Sequence, residues 1–174
     1  MSILVRDSRD GDIPTIAAIY AAAVLNGTAS FELEPPTLDE MARRRAALIE
    51  QGFPYLVAEI DGTVAGYCYA GPYRPRPAYR HAVEDSIYIA PERQGQKVGS
   101  ALLSKLIEVC QTKGFRQMVA VIGDSASVGS IGLHRAHGFT DCGIVRSVGF
   151  KHGRWLDQVL MQRGLGAGDG TPAA

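Results

Sequence analysis

One run constrains this chain more than any other: Ile87-Tyr88-Ile89-Ala90-Pro91-Glu92-Arg93-Gln94-Gly95-Gln96-Lys97-Val98-Gly99-Ser100, with a helical repeat behind it and an apolar run at Gln117 to Ile122. Val98, Leu102, Leu106, Val109 and Cys110 recur at three and four residues, and Gly114 stops the pattern, so 98–113 predicts an amphipathic helix between two strands. Strand, helix and strand in that order form a right-handed crossover, which makes the two strands parallel and close together. The Pro- and Gly-bearing turn into the helix can present successive N–H groups to an anion, aided by the positive end of the helix dipole. A plain strand-to-helix connection can have the same composition. The dinucleotide and P-loop patterns are absent, so neither of those phosphate sites is implied.

The rest of the chain surrounds this unit with further strands and helices. Ile3 to Val5 is β-like; Asp12 is placed to cap a helix with Pro14 in its first turn and Ile13, Ile16, Ile19 and Tyr20 at helical spacing, ending near Asn26-Gly27. Thr37-Leu38-Asp39-Glu40 has the form of a capping box, and its helix runs to Gly52. Tyr55 to Ile60 and Val64 to Tyr69 flank Asp61-Gly62-Thr63, a hairpin signal. Gly71 to Pro77 carries three prolines and predicts an exposed loop, after which Val83 to Ile89 returns as a strand. Ser130 to His137 predicts a short helix, and Phe139 to Ser147 and Leu156 to Met161 two strands joined by a turn in Gly149 to Arg154. One domain over 1–163 is expected, with 164–174 as a flexible Gly-, Ala- and Pro-rich tail.

Charge narrows the partner. Eighteen Lys and Arg cancel eighteen Asp and Glu, which argues against a nucleic-acid surface or a polybasic membrane surface and leaves a small molecule. The apolar stretch Ile16 to Leu25 is too short to span a bilayer, and Asp7, Asp10 and Asp12 precede it where a signal peptide would be basic. Cys68, Cys110 and Cys142 are far apart and odd in number, so a reducing, cytoplasmic setting without disulfides is expected. His134 and His137 are spaced like a metal pair but lack a third ligand, and no metal is expected.

Gln94, Lys97 and Gly99 follow the strand at the spacing of the loop that defines the GNAT acyltransferase superfamily, and the chain resembles that superfamily. Thr28-Ala29-Ser30-Phe31, Ala70-Gly71-Pro72-Tyr73, Glu84-Asp85-Ser86-Ile87-Tyr88-Ile89, Leu133-His134-Arg135-Ala136-His137-Gly138-Phe139 and Gly153-Arg154-Trp155-Leu156-Asp157 are similar to its phosphinothricin and methionine-sulfoximine acetyltransferase branch. The resemblance implies a GNAT acyl-CoA N-acyltransferase fold: α/β, with a mixed sheet of about six or seven strands and about four helices. It implies acetyl-CoA as donor, its pyrophosphate on the amides of Gln94, Gly95, Gln96, Lys97, Val98, Gly99 and Ser100, and its pantetheine arm along Ile87, Tyr88 and Ile89 and near Ser127. Two positions depart from the family pattern. Lys97 stands where the family has glycine, so an ordinary negative φ is expected there, with either a clash or an added cation near the phosphates; Ser127 replaces an asparagine.

Attack by an α-amine on a thioester requires that the ammonium first lose a proton. Glu84, at the start of the cofactor strand, is the candidate base; His134 is a candidate for either proton donor to the departing thiolate or second base. A strand N–H near Tyr88 or Ile89 would meet the oxyanion. Arg74 and Arg76 suit a substrate carboxylate, with Phe31, Tyr73, Asp85 and Ser86 completing the substrate contacts. None of the cysteines falls in these motifs, so direct transfer without an acyl-enzyme is expected. The branch also implies a homodimer through the hairpin around Trp155. The expected activity is N-acetylation of a small amino acid or analogue; the alternatives are another amine, such as a protein N-terminus or polyamine, or a non-catalytic acyl-CoA-binding regulator.

Overall fold

A computed structural model of the chain describes residues 2–173; Met1 and Ala174, the latter the end of the expected tail, lie outside it. The element order is β1 (Ile3–Asp7), α1 (Ile13–Asn26), α2 (Leu38–Glu50), β2 (Tyr55–Ile60), β3 (Thr63–Pro72), β4 (Ala82–Ile89), α3 (Val98–Thr112), β5 (Gln117–Gly123), α4 (Val128–Ala136), β6 (Thr140–Lys151) and β7 (Arg154–Gly164). The strands form one seven-stranded sheet in the order β1-β2-β3-β4-β5-β7-β6. Among the described residues only β4 and β5 pair in parallel, joined by the α3 crossover; the other neighbours are antiparallel.

Both faces of the sheet centre are covered, which is why β2 reads as a nearly continuous apolar run. Leu56, Ala58 and Ile60 pack toward Val98, Leu102, Leu103 and Leu106 of α3. On the opposite face Tyr55, Val57, Tyr67 and Tyr88 pack with Ile16, Ile19, Tyr20 and Val24 of α1 and Met41 of α2. The tyrosines there stack across strands, Tyr55 on Tyr67 at 5.8 Å and Tyr67 on Tyr88 at 5.3 Å between ring centroids.

Several boundaries differ from those the spacing predicts, each for a local reason. The Asp12 carboxylate does not cap α1; it accepts from Arg6 at 2.8 and 2.9 Å and from the Arg9 N–H at 2.7 Å. Thr37 does accept from the Glu40 N–H at 3.2 Å, but the Glu40 carboxylate turns to Arg43 and Arg44, so half of the capping box forms. Strand β3 continues to Pro72 because its last residues still register with β4, Gly71 against Glu84 and Pro72 against Val83. The β6–β7 turn shrinks to His152-Gly153, both at positive φ, so β6 runs on to Lys151. Beyond β7, Leu165 is fully buried in the core and its N–H donates to the Arg116 carbonyl. Arg116 in turn donates to the carbonyls of Gly168 and Thr171, so these residues pack on the fold rather than standing outside it.

Candidate active site

The parallel pair β4 and β5 is in register only from Ala82 with Gln117 to Asp85 with Ala120. Past that point the strands part. Ser86 to Ile89 keep β3 as a neighbour and Val121 to Gly123 keep β7, but the facing edges of the two strands have no strand partner. A cleft of about 70 Å³ opens in the gap, lined by Ala29, Asp85 to Tyr88, Ala120 to Gly123, Ser127, Ser130 and His134. Every second N–H and C=O on such an edge is available to an extended ligand.

At the far end of β4 the loop turns into α3. Gly95 lies at φ +74° with nothing within 4 Å of where a Cβ would sit, which leaves the backbone open to close approach. Lys97, as N-cap of α3, lies at φ +65° and ψ +10°; the negative φ expected for a side chain there is not what forms. The loop keeps the left-handed turn a glycine would make, the lysine bears the strain, and the side chain is exposed instead of filling the turn. Gly99 packs closely, since a Cβ there would be 3.2 Å from Leu133 of α4. The Ser100 hydroxyl meets Nε2 of His137 at 3.2 Å, and the other nitrogen of that ring meets the Leu133 carbonyl, which accounts for the histidine beside the candidate His134.

Alternation along β4 divides the candidate residues between the two faces of the sheet. Ile87 and Ile89 pack with the α3 core, whereas Tyr88 packs with the α1 side and meets Tyr20 edge-on at 5.0 Å. Glu84 shares the parity of Tyr88. It is part-buried, and burial first, then the neighbouring Asp85 charge, pushes its carboxyl above the ordinary range, with Arg74 pulling in the other direction. Arg74 lies over the Tyr73 ring, 5.1 Å from its centroid, and Arg76 opens the short turn Pro77–Tyr79; both arginines are exposed. Phe31 packs its ring against Gly123 at the end of β5 and Gly149 of β6. The Ser127 hydroxyl donates to the Gly123 carbonyl at 2.8 Å, so it retains only acceptor capacity for a ligand.

Asp85 parts from the substrate group assigned with it. Its side chain turns to the α4 side, where Oδ2 lies 2.9 Å from Nε2 of His134, with side-chain exposures of 2% and 5%. The second ring nitrogen, Nδ1, lies 2.7 Å from the Ser130 carbonyl. Two further polar groups at this end were not among the candidate site residues: Asp124 at φ +72°, which accepts from the Ala126 N–H and pairs with Arg154, and Lys151, buried and donating to the Ser30 carbonyl at 2.7 Å. The β6–β7 hairpin's return toward α1 brings Lys151 in.

The chain is similar to known proteins over nearly its whole length. The family model described as "Acetyltransferase (GNAT) domain" matches residues 5–160. The chain belongs to the GNAT acetyltransferase family. It is 56% identical over 167 residues to phosphinothricin N-acetyltransferase of Alcaligenes faecalis, covering 96% of this chain and 85% of that protein. It is 42% identical over 169 residues to the L-methionine sulfoximine/L-methionine sulfone acetyltransferase of Pseudomonas paraeruginosa, covering 95% and 96%. The crystal structure of a GNAT superfamily phosphinothricin acetyltransferase from Sinorhizobium meliloti in complex with AcCoA superposes with a TM-score of 0.97 at 48% identity, covering all of this chain and 94% of that one. The GNAT acetyltransferase fold expected from the motifs is thus the fold observed.

Proposed function

We propose that this GNAT acetyltransferase transfers the acetyl group of acetyl-CoA directly to the α-amine of a small amino acid or analogue of the phosphinothricin or methionine-sulfoximine type. The observation that carries this is the splay of β4 and β5 just past Asp85 and Ala120, with Glu84 at its head and relatives of that activity matched along nearly the whole chain. The open backbone edge of Ser86 to Ile89 fits a pantetheine arm, and the left-handed turn at Gly95 and Lys97 leading into α3 fits a pyrophosphate. When bound, acetyl-CoA supplies the activated thioester carbonyl. Tyr88 or Ile89 offers an N–H on the free edge to the developing oxyanion. Glu84 accepts the ammonium proton at its carboxylate, which burial makes a stronger proton acceptor than an ordinary glutamate. Arg74 and Arg76 hold the substrate carboxylate, and Phe31 and Tyr73 bound its side chain. His134 lines the cleft and is the second candidate for moving a proton there.

A thiol-release assay with acetyl-CoA and a panel of methionine sulfoximine, methionine sulfone, phosphinothricin, peptides and polyamines tests this. Release with free amino acids is expected; release only with peptides or polyamines, or binding without release, would replace the reading.

The working form is a homodimer through the β6–β7 hairpin. Strand β6 is exposed along nearly its whole length and presents Ile144, Val145, Val148 and Phe150, with Phe150 57% and Trp155 63% exposed and their rings edge-to-face at 5.2 Å. An apolar edge of this length is normally covered by a partner. Sedimentation should find a dimer, and Trp155→Glu should shift it to monomer. All three cysteines are free, in keeping with a cytoplasmic setting.

A further inference from the structure

We propose that Lys151 is a positioning residue for the amino-acid substrate: its buried ammonium ties loop 27–31 to the β6–β7 hairpin and so holds one wall of the cleft in place. The inference rests on the activity proposed above and adds to it a residue that sets how well the amino acid is bound.

Backbone accounting shows why the loop needs a side chain to hold it. Residues 28–36 lie in neither helix nor strand, and among the described residues none of their N–H or C=O groups makes a backbone–backbone hydrogen bond. The hairpin supplies three contacts instead. Lys151 Nζ donates to the Ser30 carbonyl at 2.7 Å. The His152 ring lies with Nε2 3.1 Å from the Gly27 carbonyl, which can only accept, so that nitrogen is the donor. Gly149 leaves room for the Phe31 ring, which would stand 2.5 Å from a Cβ there. From the other side the Thr28 carbonyl rests on Gly123 of β5. Ala29, the loop's residue in the cleft wall, therefore sits between a neighbour seated on β5 and a neighbour tied to Lys151.

Lys151 differs from His152 in being buried. Alternation at the end of β6 leaves Phe150 57% exposed and Lys151 only 5%. Burial pushes the Lys151 ammonium below the ordinary lysine value, with the charge of Glu32 acting the other way. Glu32 is itself engaged, accepting from the Tyr20 hydroxyl at 3.1 Å and from Arg44 at 2.6 Å. The Ser30 carbonyl is thus the one acceptor of the Lys151 ammonium among the described residues, and the Ser30 hydroxyl is already paired with Tyr20 at 2.9 Å. A buried ammonium is costly unless it is hydrogen-bonded. Here its bond falls on one carbonyl beside the cleft, so its loss changes the loop before it changes the sheet. Phe31 bounds the substrate side chain, whereas Glu84 and the turn into α3 belong to other elements and stay where they are.

Backbone amide relaxation by NMR, joined to steady-state kinetics, tests this. In the parent protein residues 28–31 should show the order parameters of a rigid backbone, about 0.85. In Lys151→Met they should fall below about 0.6 while α1 and β5 keep theirs. With methionine sulfoximine and phosphinothricin as probes, that variant should raise the amino-acid KM roughly tenfold, with kcat and the KM for acetyl-CoA little changed. Leu165→Ala, a core change at the Arg116 end of the sheet, should lower Tm without moving the amino-acid KM. Unchanged order parameters in a folded Lys151→Met protein overturn the proposal. So does a rise in both KM values, an equal rise in Leu165→Ala, or a rise that comes with a changed sedimentation rate. If Lys151→Met does not fold, the parent's order parameters decide, and a mobile 28–31 overturns the proposal. A parent protein that acetylates no amino acid would refute the activity, while the order parameters would still decide whether Lys151 holds the loop.

Discussion

Gly123 sits so tightly beneath Thr28 that a Cβ on it would stand 2.1 Å from the Thr28 carbonyl oxygen and 2.9 Å from the Phe31 ring. The loop after α1 therefore rests on the last residue of β5, and Ala29 in that loop is one wall of the cleft. Gly123→Ala should push the loop away, since backbone on both sides cannot yield as a flexible side chain would. A loss of about 1–3 kcal/mol is expected, read as a lower Tm, together with a raised amino-acid KM. A variant with unchanged Tm and KM would show that the loop does not depend on this contact.

Glu84 has a raised carboxyl pKa, from burial first and Asp85 second, while Arg74 draws it down. Because the base must be ionised, kcat/KM should fall on the acid side at a pH above the ordinary glutamate range. Glu84→Gln should lower kcat about 10²-fold or more with cofactor affinity retained. Arg74→Ala should raise the amino-acid KM and move the acid limb upward, because the charge that favours the ionised form is gone. Full activity of Glu84→Gln at neutral pH would assign the base elsewhere.

Lys97 holds a left-handed conformation that costs a side chain about 1–2 kcal/mol. Lys97→Gly should therefore be folded and as stable as the parent or up to about 1 kcal/mol more so, measured by chemical denaturation. A marked loss of stability would mean that the side chain contributes contacts which outweigh the strain.

Asp12 is held below its ordinary value of 3.8, first by the hydrogen bonds from Arg6, against the opposing effect of burial. A carboxylate with a depressed folded pKa adds stability that is complete above its unfolded value and is lost as pH falls through the folded one. Asp12→Asn should thus cost about 1–3 kcal/mol at neutral pH, and the difference from the parent should stay nearly full down to about pH 4 and shrink only as the pH falls on toward the lower folded value. Denaturation midpoints across pH 3 to 7 check this; a constant difference would place the effect in packing instead of charge.

Much of the architecture was legible because it depends on local patterns. Apolar spacing from Val98 to Cys110 with Gly114 behind it gave α3 almost to its ends, and Asp61-Gly62 gave the β2–β3 hairpin. The crossover rule makes β4 and β5 parallel from the order of elements alone, and they pair so. Boundaries slipped where a distant partner decided them: Pro72 stays in β3 because β4 lies beside it, and Leu165 is core because Arg116 and the β5 edge receive it.

The sequence by itself determined the crossover, the glycine-bearing start of α3 and the presence of Glu84, Asp85 and His134. All three follow from residue type and spacing, which act within a few residues along the chain. What only the tertiary structure decided is which atoms meet. Strand alternation sent Glu84 and Asp85 to opposite faces, α4 brought His134 from 49 positions away onto Asp85, and its own helix turn laid the Ser130 carbonyl on the other nitrogen. The protonation of a histidine depends on what faces both of its nitrogens, and no linear pattern records that. For the same reason the strain at Lys97 was invisible: φ at one residue is fixed by the closure of the whole turn between β4 and α3, not by the identity of the residue that occupies it.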